Sequence, residues 1–262
     1  MRQPQQPVTL SLPYQLDAAG QSGCSHQQEV SCLDLGCCGG SGARGYAKAG
    51  MVVTGVDIEP QPNYPFRFIC QDMLEYLAAY GHTYDFIHAS PPCQGYSAHV
   101  SSADSRWTPT RGKNEPQLIA PLRELLDRIG KPYCIENVIG ARNHMRPTLL
   151  LCGTMFGLPI ARHRLFECNF DVPQPEHPKC RGVARSYAER HGWDYRDMTV
   201  TGKGRKKGCA TRWKQILRLD GDLTQHQLAE AIPPAYTEYI GQYAVKAANA
   251  AGELQPPPNN PR

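Results

Sequence analysis

The feature that most constrains the fold is an apolar run that breaks into a glycine-rich turn and resumes as a helix-compatible segment. Residues 30–35 have the composition of a strand, residues 36–42 hold four glycines, and residues 43–49 can form a helix. A second strand-like run at residues 52–56 ends at Asp57. A strand, a glycine turn, a helix and an acid about 20 residues later are typical of the nucleotide-binding half of a doubly wound α/β sheet. Ordinary turn glycines are the alternative.

Two acids follow strand-like runs and are candidates for contacts with a nucleoside. A third strand is predicted at residues 66–69, and Asp72 and Met73 stand just past its end, where a helix begins. At the edge of such a sheet, Asp57 is placed to accept hydrogen bonds from ribose hydroxyls. Asp72 is placed to accept from an adenine amino group, with Met73 or Ile58 packed on the ring. Either acid could equally cap a helix.

A thiol is placed directly after another predicted buried strand, residues 84–88. Residues 90–94 read Ser-Pro-Pro-Cys-Gln, so Pro91 and its neighbour fix the path of the chain into Cys93. In an open α/β sheet the carboxyl ends of the strands are where ligands bind. A lone cysteine is more often a small buried hydrophobe. Because loop-type residues (Gln, Gly, Tyr and Ser) follow it, we interpret Cys93 as a reactive thiol.

A carboxyl and two guanidinium groups are candidates to share that sheet edge. Residues 133–135 form a predicted strand with Glu136 at its carboxyl end, so Glu136 and Cys93 are expected to face one pocket. Burial there would keep Glu136 protonated enough to act as an acid, whereas a salt-bridged surface acid is the alternative. Arg162 and Arg164, two residues apart, share one face of an extended segment and can bind a carbonyl oxygen or a phosphate.

The basic charge of the chain is concentrated in one region. Residues 179–219 hold twelve Lys or Arg against three acids, while the rest of the chain holds 16 basic and 21 acidic residues. Residues 171–222 show no clear periodicity, and Trp213 stands between two cations. Cations interleaved with an aromatic side chain suit a phosphate backbone, so we predict nucleic-acid contact here. A solvated face is the alternative.

Cysteine and histidine usage bears on metals, disulfides and compartment. Cys168, His177 and Cys180 raise the question of a metal site, but no second pair at ligand spacing completes a tetrahedral set, so the sequence predicts no metal.

Eleven cysteines, an odd number in a long chain without an apolar leader, favour free thiols in a reducing compartment. No apolar run approaches the roughly 20 residues of a membrane span. We therefore expect a soluble, cytoplasmic protein.

Taken in order, three motifs resemble those of DNA cytosine-5 methyltransferases, in the compact stand-alone form often carried by bacteriophages. They are residues 92–94 (Pro-Cys-Gln), 136–138 (Glu-Asn-Val) and 162–164 (Arg-His-Arg), and the resemblance covers about residues 30–250. It implies a Rossmann-like S-adenosylmethionine-dependent fold with a small irregular target-recognition region. Residues 232–236 resemble the closing motif of the family. The cofactor-binding residues implied are Asp34, Leu35, Gly36, Gly40, Asp57, Ile58, Asp72, Met73 and Pro91.

The same resemblance assigns chemistry to four residues. It implies that the Cys93 thiolate adds to carbon 6 of cytosine, and that Glu136 holds the ring nitrogen and the exocyclic amine and supplies a proton. It implies that Arg164 binds the ring carbonyl oxygen and that Arg162 supports the loop or a phosphate. The base that takes the carbon-5 proton is not identified. The cytosine must leave the duplex stack for these contacts to form.

The resemblance also suggests a division of the chain. We expect disordered ends at residues 1–28 and 253–262, a catalytic and cofactor-binding domain at 29–170, a basic target-recognition region at 171–222, and closing helices at 223–252 that return to the catalytic domain. The expected partner is double-stranded DNA, bound through the basic region by a monomer. A role in protecting phage or plasmid DNA from restriction is what the family suggests.

Some positions depart from the family pattern. Gly36 and Cys38 stand where the family has an aromatic residue and a glycine, Ile160 replaces a glutamine, and Ala229-Glu230 replaces Gly-Asn. Because the glycine turn is altered, a catalytically weakened DNA-binding relative is one alternative. Methylation of transfer RNA is another, since one member of the superfamily that the chain resembles acts on transfer RNA with the same motifs. Methylation of an amino group is less favoured, because Cys93 stands where those enzymes have an aromatic residue.

Overall fold

The computed structural model describes residues 29–96, 116–198, 200 and 209–253. Of the ends predicted to be disordered, residues 1–28 and 253–262, all but residue 253 lie outside the described residues. Residue 253 is the last residue of a helix, so the predicted tail begins one residue too early. Four of the basic residues in the 179–219 region, at 203 and 205–207, also lie outside the described part of the chain.

The centre of the fold is a seven-stranded sheet in the order β3-β2-β1-β4-β5-β7-β6. The first five strands of this order are mutually parallel, and β7 pairs antiparallel with both β5 and β6. Their bounds are β1 Ser31–Leu35, β2 Val52–Asp57, β3 Arg67–Cys70, β4 Phe86–Ala89, β5 Tyr133–Asn137, β6 Leu149–Leu151 and β7 Arg164–Cys168. This order reverses direction between β1 and β4, where ligands bind in doubly wound sheets. The predicted α/β class is confirmed.

Seven helices are described around the sheet, joined by short 3₁₀ turns. They are α1 Ser41–Lys48, α2 Met73–Tyr80, α3 Ile119–Ile129, α4 Val183–Arg190, α5 Cys209–Leu217, α6 Gln225–Glu230 and α7 Pro234–Glu253. In the described residues none of them is both long and apolar enough to cross a membrane.

Successive side chains of a strand point to opposite faces of the sheet, and here both faces carry apolar side chains that helices cover. On β4, Phe86 belongs to the apolar cluster that contains α1 and α7 residues, whereas Ile87 belongs to the opposite cluster with α2 and α3 residues. On β1, Cys32 and Leu33 divide in the same way. Burial on two faces is the usual condition of parallel strands, and it accounts for their continuous apolar runs.

Strand β5 is longer than the sequence predicts. Glu136 and Asn137 lie within it rather than past its end, because β7 pairs with them: Glu136 stands opposite Phe166 and Asn137 opposite Leu165. Both residues are buried. The prediction that Glu136 is a buried rather than a surface acid is therefore confirmed, while its position just past the strand is corrected.

The sequence predicts no clear periodicity for residues 171–222. This prediction is wrong over α4 and α5, which are helices. In α5, Trp213, Ile216 and Leu217 recur at helical spacing and are all buried. The Trp213 side chain is 0% exposed, so it packs in the core and does not stand among the cations as a surface for bases. The high local density of basic residues concealed this apolar stripe.

The closing helix α7 returns to the first helix of the sheet domain. The Thr237 hydroxyl donates to the Gly42 carbonyl at 2.7 Å, and Gly241 lets the helix approach Tyr46 and Ala49 closely. Before it, α6 begins with a capping box, since Thr224 and Gln227 exchange side-chain hydrogen bonds with each other's backbone N–H. The return of the chain to α1 completes one wall of the cavity described next.

Candidate active site

One cavity of about 690 Å³ lies at the carboxyl edge of the parallel strands. It brings together most of the residues that the sequence singles out. Those that line it are Asp34, Gly36, Asp57, Ile58, Asp72, Met73, Pro91, Cys93, Glu136 and Arg164. Leu35, Gly40 and Arg162 do not line it, and each has a structural position instead.

The glycine turn after β1 is shaped by close backbone contacts. Gly36 has φ of +70°, and the N–H groups of Gly36 and Cys37 donate to the Val56 carbonyl. A Cβ on Gly36 would collide with the Ser90 carbonyl, so this position requires glycine. Gly40 has φ of +74° and starts α1 against Tyr64, which explains its presence without contact to the cavity.

Cys38 continues the turn in an unfavourable conformation. Its φ of +45° lies in the left-handed region, where a glycine would be relaxed. The Cys38 N–H donates to Asp57 Oδ2 at 2.8 Å, while the Glu59 N–H donates to Asp57 Oδ1 at 3.0 Å. The turn thereby fixes the Asp57 carboxylate at the end of β2, with further lone pairs on both oxygens.

Asp72 combines the two roles that the sequence left open. Its Oδ1 accepts from the N–H groups of Leu74 and Glu75, which makes it the N-cap of α2. Its side chain also lines the cavity. The helix cap is therefore confirmed, and the expected adenine contact stays a prediction.

Two neighbouring residues of β1 lie at the base of the cavity, and of these only Asp34 lines it. Asp34 is 2% exposed and accepts from the Tyr64 hydroxyl at 3.2 Å, and burial raises its pKa to about 7. The Leu35 side chain is in the core, and its carbonyl accepts from the Ser90 N–H at 2.8 Å. Leu35 thus connects the glycine turn to the start of the cysteine loop.

Cys93 is half-buried at the end of the loop that follows β4. Burial raises the pKa of its thiol, Glu136 raises it further, and Arg164 lowers it. The loop is attached to β5, because the Asn137 amide donates to the Pro91 carbonyl at 3.1 Å. The thiol therefore stands in a fixed loop, in its protonated form in the free protein.

Glu136 and Arg164 form an ion pair in the cavity wall. Glu136 Oε1 lies 3.0 Å from Arg164 Nε, and the two side chains are 9% and 16% exposed. Burial raises the pKa of Glu136, while Arg164 and then Arg162 lower it. The structure thus brings the predicted thiol, carboxyl and guanidinium to one place.

A buried polar chain behind Glu136 was not found by sequence reasoning. The Tyr46 hydroxyl and His88 Nδ1 are 2.8 Å apart, and His88 Nε2 and Ser90 Oγ are 2.9 Å apart. The Ser90 hydroxyl in turn hydrogen-bonds Glu136 and lowers its pKa. Burial lowers the pKa of His88 to about 3, so the imidazole is neutral. The available signal was a histidine inside an apolar strand directly before Ser-Pro-Pro.

Arg162 supports the chain around the cavity rather than lining it. It is 5% exposed and donates to the carbonyls of Val200, Ala229 and Ala231 at 2.7 to 2.9 Å. The Tyr236 hydroxyl of the closing motif donates to the Arg162 carbonyl at 2.6 Å. Arg162 and Arg164 therefore have different partners, and the former connects the recognition region to the closing helices.

Helix α6 contributes a further wall that the sequence did not indicate. His226, Gln227 and Glu230 line the cavity, and the Gln227 amide donates to Gln61 at 2.9 Å across it. Glu230 also lies 3.6 Å from the Cys38 thiol. The segment before the closing motif thus faces the glycine turn.

Comparison with solved structures finds matches at low sequence identity. The S. pombe Dnmt2 methyltransferase is 11% identical over 86% of this chain and 99% of that chain, with a TM-score of 0.50. The Entamoeba histolytica methyltransferase EhMeth is 12% identical over 88% and 100%, with a TM-score of 0.46. A chain named as a DNA modification methyltransferase encoded within an E. coli prophage is 21% identical over 58% and 52%, with a TM-score of 0.42.

No protein-family model and no curated protein matches the chain. The likeness to the S. pombe methyltransferase covers 86% of this chain and 99% of that chain. The chain therefore has the Rossmann-like fold of S-adenosylmethionine-dependent methyltransferases.

Proposed function

We propose that the protein transfers a methyl group from S-adenosylmethionine to carbon 5 of cytosine in double-stranded DNA. The observation that carries the proposal is the single cavity in which Cys93, Glu136 and Arg164 face the glycine turn and the acids Asp57 and Asp72. Carbon 5 of cytosine is a poor nucleophile until a thiolate adds at carbon 6. A thiol, a proton donor and a cation beside a methyl-donor pocket are the groups that this chemistry requires.

The glycine-turn side of the cavity fits the cofactor. Gly36 lines the cavity, and because a Cβ there would collide with the Ser90 carbonyl, the turn presents backbone without a side chain at this point. Asp57 stands at the end of β2, where a ribose is held in such folds. Ile58 is 67% exposed although it is a large apolar residue, and it lines the cavity, which suits packing on an adenine ring. When bound, S-adenosylmethionine supplies the methyl group as an electrophile.

In the proposed reaction Cys93 activates the pyrimidine. Its thiolate forms a sulfur–carbon bond at carbon 6, which moves the electrons of the 5,6 double bond and makes carbon 5 nucleophilic. After methylation a base removes the carbon-5 proton, and elimination of the thiolate restores the double bond. Because burial and the charge of Glu136 raise the pKa of Cys93, protonation of Glu136 favours the thiolate.

Glu136 and Arg164 have complementary roles in this proposal. Burial raises the pKa of Glu136 and so favours the protonated form that donates to the ring nitrogen. Arg164 is already oriented by its contact with Glu136 and would donate to the ring carbonyl oxygen. The Tyr46, His88 and Ser90 chain holds the Glu136 carboxyl from behind.

The proposed substrate rests on two arguments: the positive charge of the basic region, and the need for the target cytosine to reach the Cys93 thiol. The basic 179–219 region provides cations for a phosphate backbone. A target cytosine must leave the base stack to reach a thiol in a cavity, at a cost of a few kcal/mol. A transfer RNA substrate, which the same motifs allow, is the outcome that the first experiment distinguishes.

The first experiment identifies the product. The protein is incubated with a labelled methyl donor and, in parallel, with duplex DNA, single-stranded DNA or transfer RNA. We expect 5-methylcytosine in duplex DNA by mass spectrometry of the nucleosides. Greater incorporation into transfer RNA decides for RNA, and methyl groups on an exocyclic amine contradict the carbon-5 mechanism. Titration calorimetry confirms in each case that the cofactor is bound.

The second experiment tests the nucleophile. Cys93→Ser should retain the fold and lose more than about 10³-fold in methyl transfer, because an alcohol is far less nucleophilic than a thiolate. Cys70→Ser, an exposed cysteine at the end of β3, is the matched control. With a cytosine that carries fluorine at carbon 5, the wild-type protein should stay covalently attached to DNA, because no proton can be removed. Activity of Cys93→Ser at the control level would refute the assignment.

A further inference from the structure

Four side chains of metal-ligating type converge next to the arginine segment. One ligand atom from each of Cys152, His163, His177 and Cys180 lies within 4.8 Å of each of the others. The Cys180 Sγ and the His163 Nε2 are 3.8 Å apart. The rings of His163 and His177 have centroids 5.2 Å apart and are nearly perpendicular, so both nitrogens can face a common point.

The register of two strands places the first pair of these residues. Strands β6 and β7 are antiparallel with Leu151 opposite Arg164, so the next positions outward are Cys152 and His163. Cys152 is buried directly after β6, and His163 directly precedes β7. Half of the cluster is therefore fixed by the sheet and does not depend on a loop.

The second pair comes from one irregular segment. His177 and Cys180 are separated by two residues, a spacing found in zinc-binding loops, and they lie between β7 and α4 in a stretch without helix or strand. The sequence predicted no metal because no second pair stands at ligand spacing. The pairing of β6 with β7 supplies that pair from positions 152 and 163, which are 11 residues apart in the chain.

The distances agree with one tetrahedral ion. Zinc bonds of about 2.3 Å to sulfur and about 2.0 Å to nitrogen place the ligand atoms roughly 3.3 to 3.8 Å apart. The distance between the Cys180 and His163 atoms is already of this size, and small side-chain rotations would bring in the others. Two thiols and two imidazoles are a donor set that favours Zn²⁺ over Mg²⁺ or Ca²⁺.

We propose that Cys152, His163, His177 and Cys180 bind one structural Zn²⁺ that joins the start of the recognition region to the catalytic sheet edge. Four protein ligands leave no open position, which is the pattern of structural zinc sites. The Thr154 hydroxyl donates to the Cys152 sulfur at 3.3 Å and would orient it as a ligand.

The position of the site explains what the ion would do. Gln174 attaches the irregular segment to Leu150 of β6 by two hydrogen bonds of 3.0 and 2.8 Å. A metal at His177 and Cys180 adds a second attachment to the same edge. Because His163 stands between Arg162 and Arg164, the ion would also fix the backbone that presents Arg164 to Glu136.

The test measures metal content and does not depend on methyl transfer. The full chain is purified under reducing conditions from zinc-supplemented cells, desalted and measured by elemental mass spectrometry. We expect one zinc per chain, and after exchange with Co²⁺ the visible absorption of a tetrahedral thiolate site. His177→Ala and Cys180→Ser should lose both signals. His82→Ala and Cys70→Ser, exposed residues of the same types elsewhere, should keep them.

Other outcomes would overturn the proposal. Folded, reduced wild-type protein with substoichiometric zinc and no Co²⁺ spectrum contradicts it, as does zinc binding by both ligand variants at the wild-type level. A disulfide between Cys152 and Cys180 in the protein as isolated, found by mass spectrometry, would replace the metal by a covalent link. His177 is exposed, so its alanine variant is expected to fold even if Cys180→Ser does not.

Discussion

Glu136 Oε1 lies 3.0 Å from Arg164 Nε, which makes the carboxyl and the guanidinium of the cavity one another's main electrostatic partners. A carboxylate that is buried alone is costly, and the attraction to a cation offsets part of that cost. Arg164 therefore has a structural role in the free protein in addition to the carbonyl contact proposed for it. Its removal should affect stability and pH dependence as well as catalysis.

We predict that Arg164→Ala lowers the free energy of unfolding at neutral pH by roughly 1–3 kcal/mol, less than for a wholly buried pair because both side chains are partly exposed. Burial raises the folded-state pKa of Glu136, so its ionisation disfavours folding and stability falls as pH rises through that pKa. Without Arg164 the pKa of Glu136 rises further, and the loss of stability should therefore extend to higher pH. Denaturant unfolding across a pH series checks this.

The matched variant for this prediction is Glu136→Gln. It removes the titrating group, so the double variant with Arg164→Ala should show no additional pH dependence over the same range. Equal stability of wild type and Arg164→Ala at every pH would show that the ion pair contributes nothing.

The buried imidazole of His88 predicts a loss of stability in acid. Burial lowers its pKa to about 3, whereas an unfolded histidine titrates near 6.5, so only the unfolded state takes up the proton between these values. Stability should therefore fall by about 1.4 kcal/mol per pH unit from this group as pH decreases below about 6.5. His88→Gln should reduce the measured slope, while His82→Ala, an exposed histidine, should not. An unchanged slope in His88→Gln would contradict the prediction.

Site residues whose position depends only on the local sequence pattern could be placed from the sequence. Apolar runs that end at Asp57 and before Cys93 put both residues at the carboxyl edge, because parallel strands of one sheet end together. Glu136 shows the limit, because the length of β5 depends on pairing with β7, which follows it by nearly 30 residues. No local property of residues 136 and 137 indicates that partner.

The errors concern residues whose environment depends on distant packing. Trp213 was interpreted as a surface aromatic because cations flank it, but the apolar side of α5 is buried against α6 and neighbouring segments. Likewise, the contacts of Arg162 are carbonyls from residues about 40 and 70 positions away. Charge content predicts exposure only on average, and a few apolar contacts reverse it at a single position.

The left-handed conformation of Cys38 predicts that a glycine there is stabilising. A non-glycine residue at φ of +45° is strained, and Cys38→Gly should raise the free energy of unfolding by about 0.5–1 kcal/mol after the entropic cost of glycine. Since the Cys38 N–H orients Asp57, affinity for S-adenosylmethionine should not decrease. Thermal unfolding and titration calorimetry measure the two effects. Cys37→Gly is the matched control and should destabilise, because Cys37 is buried and has no positive φ.

Exposed cations of the recognition region should determine the salt dependence of DNA binding. Arg185 and Arg190 lie on α4 with exposed side chains, and Arg185 is held over the Tyr195 ring at 5.2 Å. If Arg185 and Arg190 each contact a phosphate, each alanine variant should make the plot of log affinity against log salt concentration less steep by about 0.9. It should also weaken binding to all DNA sequences alike. Lys246→Ala, an exposed cation on α7, is the control, measured by fluorescence anisotropy on the same duplex. Slopes equal to that of the control would mean that α4 faces away from the nucleic acid and that the basic charge there is a solvated face.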